Sequence, residues 1–282
     1  MSRFDAIVQE ALRARPDLVM LRTVVEKELL HHDILREMGH ADLLRDLVFI
    51  GGTCLRLCYG SPRLSEDLDF TTAMDPGTVH ERLSRLRRIL KESLYEKYQL
   101  PVEVSEPKHE AGLVRTWKVR VTTRPERPDL PPQRIHIDVQ VLPARDARPT
   151  IPRNPYRVEM GTSGLILSAC SMEEILADKL IALALRSNRI KWRDLWDIVW
   201  LVQHDVAVSR SLIDKKASDR GQSIATISSL VSERIAAAAG DHANFVGEME
   251  RFLPAGELRS SVSDPLYWDY LMRLVPTLGG LA

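Results

Sequence analysis

The sequence predicts an α+β fold, a mixed sheet with flanking helices followed by a C-terminal helical domain. Apolar residues recur at helical spacing near the N-terminus and again after about residue 170. Between these regions, short apolar runs and alternating segments are separated by glycine and proline, which is the pattern of strands. We therefore expect a helical lead over residues 1–46 that packs on the core, an α/β core over 47–165, and a helical domain over 166–282.

The composition and charge are those of an ordinary globular chain. Its 282 residues are 44% hydrophobic and 28% charged, and the formal net charge is zero. Neutrality argues against a surface that coats nucleic acid throughout, although it leaves room for local basic patches. No run of about 18 apolar residues is present, so no membrane span is expected. The N-terminus has no apolar signal core, and we expect a cytoplasmic location.

The three cysteines, Cys54, Cys58 and Cys170, predict free thiols. An odd number of cysteines in a cytoplasmic chain favours thiols over disulfides. A zinc site would need further ligands at metal spacing, and the sequence has none nearby. We expect these side chains to take part in buried apolar packing.

The first seventy residues predict helices followed by two strands around a short helix. Residues 4–46 carry apolar side chains at helical spacing. Leu47–Ile50 is a short apolar run that predicts a buried strand and ends at a glycine pair. Thr53–Tyr59 then predicts a helix, with Thr53 as its cap and Gly60 as its end. Arg63–Phe70 predicts a second strand.

The later helices are indicated by their caps. Asp75-Pro76 predicts the start of one long helix that runs to about Tyr98. A capping box at Ser171–Glu174 opens the helical domain, and Ser263-Asp264-Pro265 opens its last helix. Between the long helix and the helical domain, strands are predicted at Val102–Ser105, Leu113–Thr122 and Arg134–Val141. Proline-rich segments at 124–132 and 143–155 predict loops.

One face of the Arg63–Phe70 strand carries the most informative side chains. Because side chains alternate across a strand, Arg63, Ser65, Asp67 and Asp69 are expected on one face. The apolar residues between them point to a core. Two carboxylates so placed repel each other unless a cation lies between them. In a half-buried segment this pair favours a metal site, although Asp at the end of a strand also caps turns.

Asp138 offers a third carboxylate. It lies on the polar face of the Arg134–Val141 strand, and it converges with Asp67 and Asp69 if that strand runs beside theirs. Three carboxylates can hold two metal ions, and magnesium prefers carboxylate, water and phosphate oxygens. The alternative is that Asp138 is a solvated strand residue.

The glycine pair Gly51-Gly52 precedes a predicted helix. Glycine lets backbone amides approach a ligand closely, and a helix N-terminus attracts anions such as a triphosphate. A tight turn without a ligand is the alternative for this pattern.

The segment from Phe49 to Phe70 resembles the first motif of the AbiEii/AbiGii toxin family of nucleotidyltransferases, which belong to the DNA polymerase β-like superfamily. The residues that carry the resemblance are Phe49-x-Gly51-Gly52-Thr53-x-Leu55-Arg56-Leu57-x-Tyr59-Gly60-x-x-Arg63-x-Ser65-Glu66-Asp67-Leu68-Asp69-Phe70. Asp138 matches a further strand carboxylate of the family. Glu173–Leu183 resembles its helix with a functional lysine, and Arg193–Ile198 its Arg-Asp-Leu-aromatic-Asp motif. The tail beyond 205 lies outside the resemblance.

The resemblance implies a polymerase β-like nucleotidyltransferase core that uses magnesium, or manganese in its place, and an NTP. The metal ligands would be Asp67, Asp69 and Asp138. These three residues, with Lys179 and Asp194, would form the catalytic set. The nucleotide-binding residues would be Gly51, Gly52, Thr53, Arg63, Ser65 and Lys179.

Lys179 lies on an apolar helix face with Ile175, Leu176 and Leu183. A lysine in this position either extends its amine to water or faces a ligand. The resemblance favours phosphate binding, where the lysine neutralises triphosphate charge as pyrophosphate leaves. Asp194 would orient Lys179 or a substrate, and the alternative is a surface ion pair with Arg193 or Lys191.

Two groups of basic residues flank the predicted site. One follows the hairpin that leads to Asp138 and includes Arg115, Lys118, Arg120, Arg124, Arg127 and Arg134. The other brackets the connection between the two C-terminal motif helices and comprises Arg186, Arg189, Lys191 and Arg193. We expect RNA contacts at Arg120 and Arg124 in the first group and at all four residues of the second, although each group also fits a solvated face.

The function that the resemblance implies is that of a toxin that transfers NMP to the 3′ end of tRNA. Such a modification would block aminoacylation and translation, and a separate antitoxin protein would be the partner. Two alternatives stay open at this point. One is the same chemistry on a protein or on a small molecule such as an aminoglycoside, and the other is a nucleotide-binding module without catalysis.

Overall fold

Seven strands form one mixed sheet in the first of two units into which the chain divides. The first unit is Met1–Cys170 and the second is Ser171–Ala282. The computed structural model describes residues 2–107, 112–186 and 189–279. Helices flank the sheet, and the second unit is helical throughout its described elements. The predicted α+β fold is thus confirmed. The domain bounds of 1–46, 47–165 and 166–282 stay a prediction.

The N-terminal helices build part of the core of the first unit. Helix α1 spans Arg3–Ala14, a 3₁₀ helix spans Pro16–Leu21, and α2 spans Arg22–His40. Helix α2 is buried along most of its length, and its buried residues include charged and polar ones. This helix therefore does more than cover the sheet, because its buried polar groups must find partners inside the protein.

The sheet has the strand order β3-β4-β5-β2-β1-β7-β6. The strands are β1 Val48–Ile50, β2 Leu68–Thr71, β3 Val102–Ser105, β4 Val114–Val121, β5 Gln133–Gln140, β6 Ala147–Thr150 and β7 Leu167–Cys170. The β1–β7 and β2–β5 pairs are parallel, and the other neighbours are antiparallel. The β2–β5 pairing therefore places two distant segments of sequence side by side in register.

One face of the outer strands is buried and the other is polar. Trp117, Val119 and Val121 of β4 are buried, and the residues between them are partly or fully exposed. Strand β5 alternates in the same way, with Ile135 and Ile137 buried. Helices α2 and α5 (Leu86–Tyr98) contact β5 and β3, respectively. The polar face of these strands is thus the one turned away from the apolar core.

The helix after β1 begins earlier than the sequence predicts. It is α-helical over Gly51–Cys54, here α3, and π-helical over Leu55–Tyr59. Gly60 ends it with a φ of 82°, as expected for a left-handed glycine cap. Thr53 does not cap the helix, because its hydroxyl donates instead to the carbonyl of Asp67.

Three further predictions about local structure are wrong. The second strand begins at Leu68 and not at Arg63, and both Arg63 and Ser65 are buried. The long helix is divided into α4 (Pro76–Leu83) and α5, and the Ser84 hydroxyl at the break donates to the Glu81 carbonyl. Strand β6 lies in a segment expected as loop, and β7 lies in the segment expected as the start of the helical domain; both complete the sheet on the side of β1.

The second unit consists of seven helices among its described residues. They are α6 Met172–Leu185, α7 Trp192–Gln203, α8 Arg210–Ser218, α9 Ile224–Ala238, α10 His242–Met249, α11 Ala255–Ser260 and α12 Pro265–Gly279. The Ser171 hydroxyl accepts from the Glu174 amide at 3.2 Å, as the capping box predicts. None of the helices in the described part of the chain is long and apolar enough to cross a membrane. All three cysteines are buried thiols outside any disulfide, as predicted.

Truncation of Leu90, a buried residue of α5, should destabilise the first unit. Leu90→Ala leaves a cavity, so the free energy of unfolding should fall by about 2–5 kcal/mol in urea denaturation. Leu113→Ala removes the same atoms from a side chain that is 43% exposed, and it should change stability by less than about 0.5 kcal/mol. Equal losses in the two variants would contradict this account of the core.

Candidate active site

Asp69 and Asp138 are register partners on the parallel strands β2 and β5. Neighbouring strands lie about 4.8 Å apart, and partners in register project to the same face of the sheet. Leu68 and Phe70 flank Asp69 and are buried on the opposite face. Two carboxylates held this close repel each other unless a cation lies between them. This arrangement therefore favours a cation beside the two carboxylates.

Gly51 brings the backbone directly against this pair. It has a φ of +77°, and a Cβ at this position would lie 2.5 Å from Oδ2 of Asp69. Glycine is therefore required both by the left-handed backbone and by the contact. Antiparallel pairing of β1 with β2 sets Ile50 opposite Asp69, so the turn after β1 starts beside the carboxylate.

Asp67 lies just before β2 and is bound from β5. Its Oδ1 accepts the backbone amide of His136 at 2.9 Å, and Nδ1 of His136 is 3.2 Å away from the same oxygen. Thr53 holds the other side of the residue through the Asp67 carbonyl. His136 is two residues before Asp138 on the same face of β5. Sequence patterns did not single out His136, because its link to Asp67 depends on the parallel pairing.

The donor types suit magnesium, but the three carboxylates do not form a ready-made metal cage. Within the described ranges, no group of three or more His, Cys, Asp or Glu side chains is arranged to hold a metal. What supports a metal here is the paired Asp69 and Asp138, the glycine backbone against them, and the preference of magnesium for carboxylates together with water and phosphate. Oδ1 of Asp67 also accepts from the backbone amide of His136.

Gly52 is enclosed by the two polar residues that the sequence assigns to nucleotide binding. A Cβ at Gly52 would collide with the guanidinium of Arg63 and lie 3.0 Å from Oγ of Ser65. Arg63 is buried and donates from Nη1 to the Leu64 carbonyl at 2.9 Å. Arg63 and Ser65 therefore lie against the glycine turn rather than along an open strand face.

A buried carboxylate on α2 holds the segment between the helix and β2. Oε1 of Glu28 accepts the Ser65 amide at 3.1 Å, while Oε2 accepts from Arg56 Nε at 3.2 Å and from the Tyr156 hydroxyl. Arg56 in turn donates from Nη1 to the Ser61 carbonyl at 3.0 Å. The N-terminal helix thus positions Ser65, and this role of Glu28 has no signature in the local sequence.

The buried groups around Glu28 stabilise one another's ionisation states. Burial opposes the charge on Arg56, but the adjacent Glu28 carboxylate outweighs burial and raises the pKa of Arg56 above its ordinary value. Burial, followed by the negative charge of Glu28, raises the pKa of Tyr156 well above 10. Tyr156 is therefore neutral and available as a donor to Glu28.

In the second unit, Lys179 is held between two carboxylates. Its Nζ lies 2.6 Å from Asp194 Oδ1 and 2.7 Å from Asp197 Oδ2. Arg186 adds a second cation, since its Nη1 is 2.7 Å from Asp194 Oδ2. Burial opposes ionisation of Asp194, yet the charges of Lys179 and Arg186 outweigh it and hold the pKa of Asp194 well below 3.8. Asp194 and Asp197 both contact the lysine amine, whereas the resemblance had favoured Asp194 over Asp197.

The other basic residues predicted for RNA have mixed surroundings in the second unit. Arg193 lies 3.1 Å from Glu248 and stacks over Phe252. Arg189 is exposed, and Lys191 precedes α7 and is half-buried. Their role in RNA binding stays a prediction.

In the first unit, the two predicted RNA contacts differ. Arg120 is exposed on β4 and lies 3.2 Å from Glu103. Arg124 is bound inside the protein, since its Nη2 contacts Glu26, which is 1% exposed. Asp5 lies 3.7 Å from the Arg124 guanidinium. Arg124 therefore has a structural role that the sequence did not indicate.

Comparison with known proteins identifies the family. The model of the nucleotidyl transferase AbiEii toxin family of type IV toxin–antitoxin systems matches residues 33–273. The chain belongs to this family. The predicted resemblance is therefore confirmed. The chain is a nucleotidyltransferase toxin of a type IV toxin–antitoxin system. Membership implies an NTP substrate and an antitoxin partner, and nucleotidyltransferases in general use divalent metals.

Solved structures are similar to this AbiEii toxin to different degrees. MenT4, a nucleotidyltransferase toxin from Mycobacterium tuberculosis, has a TM-score of 0.60 and 13% identity, covering 99% of this chain and 90% of that one. JHP933 from Helicobacter pylori has a TM-score of 0.46 and 18% identity, covering 92% of this chain and 90% of that one. A comparison with curated protein sequences gave no match. At such identity, the likeness to MenT4 shows the fold.

Removal of Glu28 should cost the toxin much of its stability. Glu28→Ala leaves the buried Arg56 charge without its carboxylate, so the free energy of unfolding should fall by about 3–5 kcal/mol. Urea denaturation would measure the loss. Glu96→Ala removes an exposed carboxylate from α5 and should change stability by less than about 0.5 kcal/mol. A Glu28→Ala variant as stable as Glu96→Ala would contradict the positioning role.

Asp194 should make the toxin sensitive to acid. Its pKa is lower in the folded than in the unfolded state, so its contribution to stability is present above about pH 4 and is lost as the pH falls toward the folded-state pKa. Between about pH 5 and pH 2, the free energy of unfolding should therefore fall more steeply in the wild type than in Asp194→Asn. Urea titrations at a series of pH values would measure both slopes.

The control for this pH dependence is the exposed Asp214 of α8. Asp214→Asn makes the same chemical change without a buried ion pair, so its stability should follow the wild-type pH profile. Parallel profiles for the wild type and Asp194→Asn would show that Lys179 and Arg186 do not stabilise the Asp194 carboxylate.

Proposed function

We propose that the toxin transfers a nucleoside monophosphate from an NTP to the 3′ end of an RNA, with tRNA as the acceptor. The observation that carries the proposal is the register of Asp69 with Asp138 directly beside the Gly51 backbone. Acidic side chains at this position and a glycine turn next to them suit a triphosphate and its counter-ion. The tRNA acceptor rests on the sequence resemblance, and the reaction would take place in the cytoplasm.

The residues of the first unit have distinct roles in this proposal. The amides of Gly51 and Gly52 and the hydroxyl of Ser65 would hold the triphosphate. Arg63 packs against the glycine turn, and Thr53 binds the Asp67 carbonyl next to it. Asp67, Asp69 and Asp138 would hold magnesium, or manganese in its place. When bound, the metal supplies positive charge to the phosphates and lowers the pKa of the acceptor hydroxyl.

The transfer itself is a displacement at the α-phosphorus. The 3′ oxygen of the RNA attacks in line, the bond from the α-phosphorus to the bridging oxygen breaks, and pyrophosphate leaves with the electron pair. The proton of the attacking hydroxyl passes to water. Lys179, by resemblance, would neutralise the charge that develops on pyrophosphate, and Asp194 and Asp197 would keep its amine oriented. A tRNA modified in this way at its 3′ end would no longer be aminoacylated, and translation would stop.

Asp69→Asn should abolish transfer while leaving the protein folded. The toxin is incubated with each α-labelled NTP, magnesium, and separate pools of total cellular RNA, protein and small metabolites. The wild type should label tRNA, and chelation of the metal should stop the labelling. Asp69→Asn should reduce the rate at least about a hundredfold, because a bound metal ion stabilises the transition state by several kcal/mol. Each increase of about 1.4 kcal/mol in the activation free energy lowers the rate tenfold.

Asp214→Asn is the matched control, since it removes an exposed carboxylate of the second unit and should keep the full rate. Label in the protein or metabolite pool instead of the RNA pool would replace the RNA acceptor by that class. Full activity of Asp69→Asn would remove the catalytic assignment of the carboxylate pair.

A further inference from the structure

The polar face of β4 and β5 carries cations in rows that lead to Asp138. On β4, Thr116, Lys118 and Arg120 alternate with buried residues. Across the strands, Thr116 pairs with Asp138, Lys118 with His136, and Arg120 with Arg134. Two further residues along β5 add about 7 Å, so Arg134 lies about 14 Å from Asp138. One surface thus joins a candidate metal ligand to a group of three cations, which we call the β4–β5 cationic face: Lys118, Arg120 and Arg134.

The structure excludes the other basic residues of this hairpin from that face. Arg115 alternates with Thr116 and donates to the carbonyls of Gly112 and Val114. Arg124 is bound to the buried Glu26, as described above. Arg127 lies 2.7 Å from Asp129 in the loop after β4. Of six basic residues that look equivalent in sequence, three therefore have other positions or partners.

Acidic side chains in the described part of the chain do not fully neutralise the positive charges of the three cations on this face. Lys118 and Arg134 are exposed, and neither has an ion-pair partner among the residues the structure describes. Arg120 contacts Glu103, but both side chains are more than half exposed, and solvent screens such a pair strongly. Arg120 and Arg134 also lie directly opposite each other, and like charges in register destabilise a sheet. The arrangement is favourable when a polyanion covers it.

The strand order separates this face from the predicted nucleotide turn. In the sheet, β1 and its Gly51–Gly52 turn lie on one side of β2 and β5, and β4 lies on the other. The carboxylates on β2 and β5 lie between them. A triphosphate on the glycine turn therefore leaves the β4 side to the second substrate.

We propose that the backbone phosphates of the acceptor RNA bind the β4–β5 cationic face, with the terminal nucleotide at Asp138. Phosphate contacts from lysine and arginine position a strand without reading its sequence. This assignment rests on the proposed transfer to RNA and adds where the acceptor lies. It replaces Arg124 by Lys118 and Arg134 as the contacts that the hairpin provides.

The test compares two double variants that each remove one lysine and one arginine. Lys118→Ala/Arg134→Ala removes cations from the face. Arg87→Ala/Lys91→Ala removes exposed cations from α5, a helix that packs against β3. Each is made in the Asp69→Asn background, so that binding of a fluorescent tRNA is measured without turnover at several salt concentrations. Thermal melting checks that the Asp69→Asn parent and both double variants are folded.

The Lys118→Ala/Arg134→Ala variant should bind tRNA several-fold more weakly. The slope of log K against log salt should become shallower by about 1.4 to 1.8, since each lost phosphate contact removes about 0.7 to 0.9. The α5 variant should keep the affinity and the slope. Affinity for a non-hydrolysable NTP should be equal in both variants, because the face lies on the side of β5 away from the glycine turn.

The outcomes separate this inference from the proposed function. If the active wild type labels no RNA, the proposed function is wrong and the inference with it. If the wild type labels RNA while both double variants bind tRNA with the same affinity and slope, the function stands and the assignment of the face is wrong. A loss of NTP affinity in Lys118→Ala/Arg134→Ala would assign the cations to the nucleotide and also overturn the inference.

Discussion

The parallel pairing of β2 with β5 determines most of what this toxin can do. It places Asp69 opposite Asp138, although about seventy residues separate them in the chain, and it brings the amide of His136 to Asp67. Two carboxylates on adjacent strands repel each other, and the sheet holds them there through the burial of Phe70 and Val139 on the opposite face. The apolar core therefore stabilises a polar arrangement that would be unfavourable by itself, and a cation at the pair would relieve the repulsion.

The surroundings of this pair are made rigid from two directions. The glycine turn after β1 contacts Asp69, and the buried Glu28 of α2 holds Ser65 while it neutralises Arg56. A buried carboxylate and guanidinium tolerate little displacement, since either group would be costly without the other. Helix α2 is thus part of the framework of the candidate site, and a helical lead that merely covers the core would not explain its buried charges. In the second unit, Lys179 is fixed in a comparable way between Asp194 and Asp197.

Local sequence was informative where one interaction within a few residues decides the structure. The alternation in β5, the cap at Ser171 and the left-handed Gly60 were all predicted and observed. Where tertiary contacts decide, prediction failed. Strand β7 is four residues long and becomes a strand through its parallel pairing with β1. Thr53, which looked like a helix cap, serves the Asp67 carbonyl because β2 passes beside it.

By itself, the sequence determined the fold class, the family and the set of candidate residues, because glycine, carboxylate and lysine in a dense motif leave a pattern that does not depend on the surroundings. Only the tertiary structure decided how these residues are used. It paired Asp69 with Asp138 and buried Arg63. It also divided six similar basic residues into three with other positions or partners and three on the β4–β5 cationic face. The physical reason is that an arginine or a carboxylate takes its role from the charges around it, and those charges come from segments that are distant in sequence.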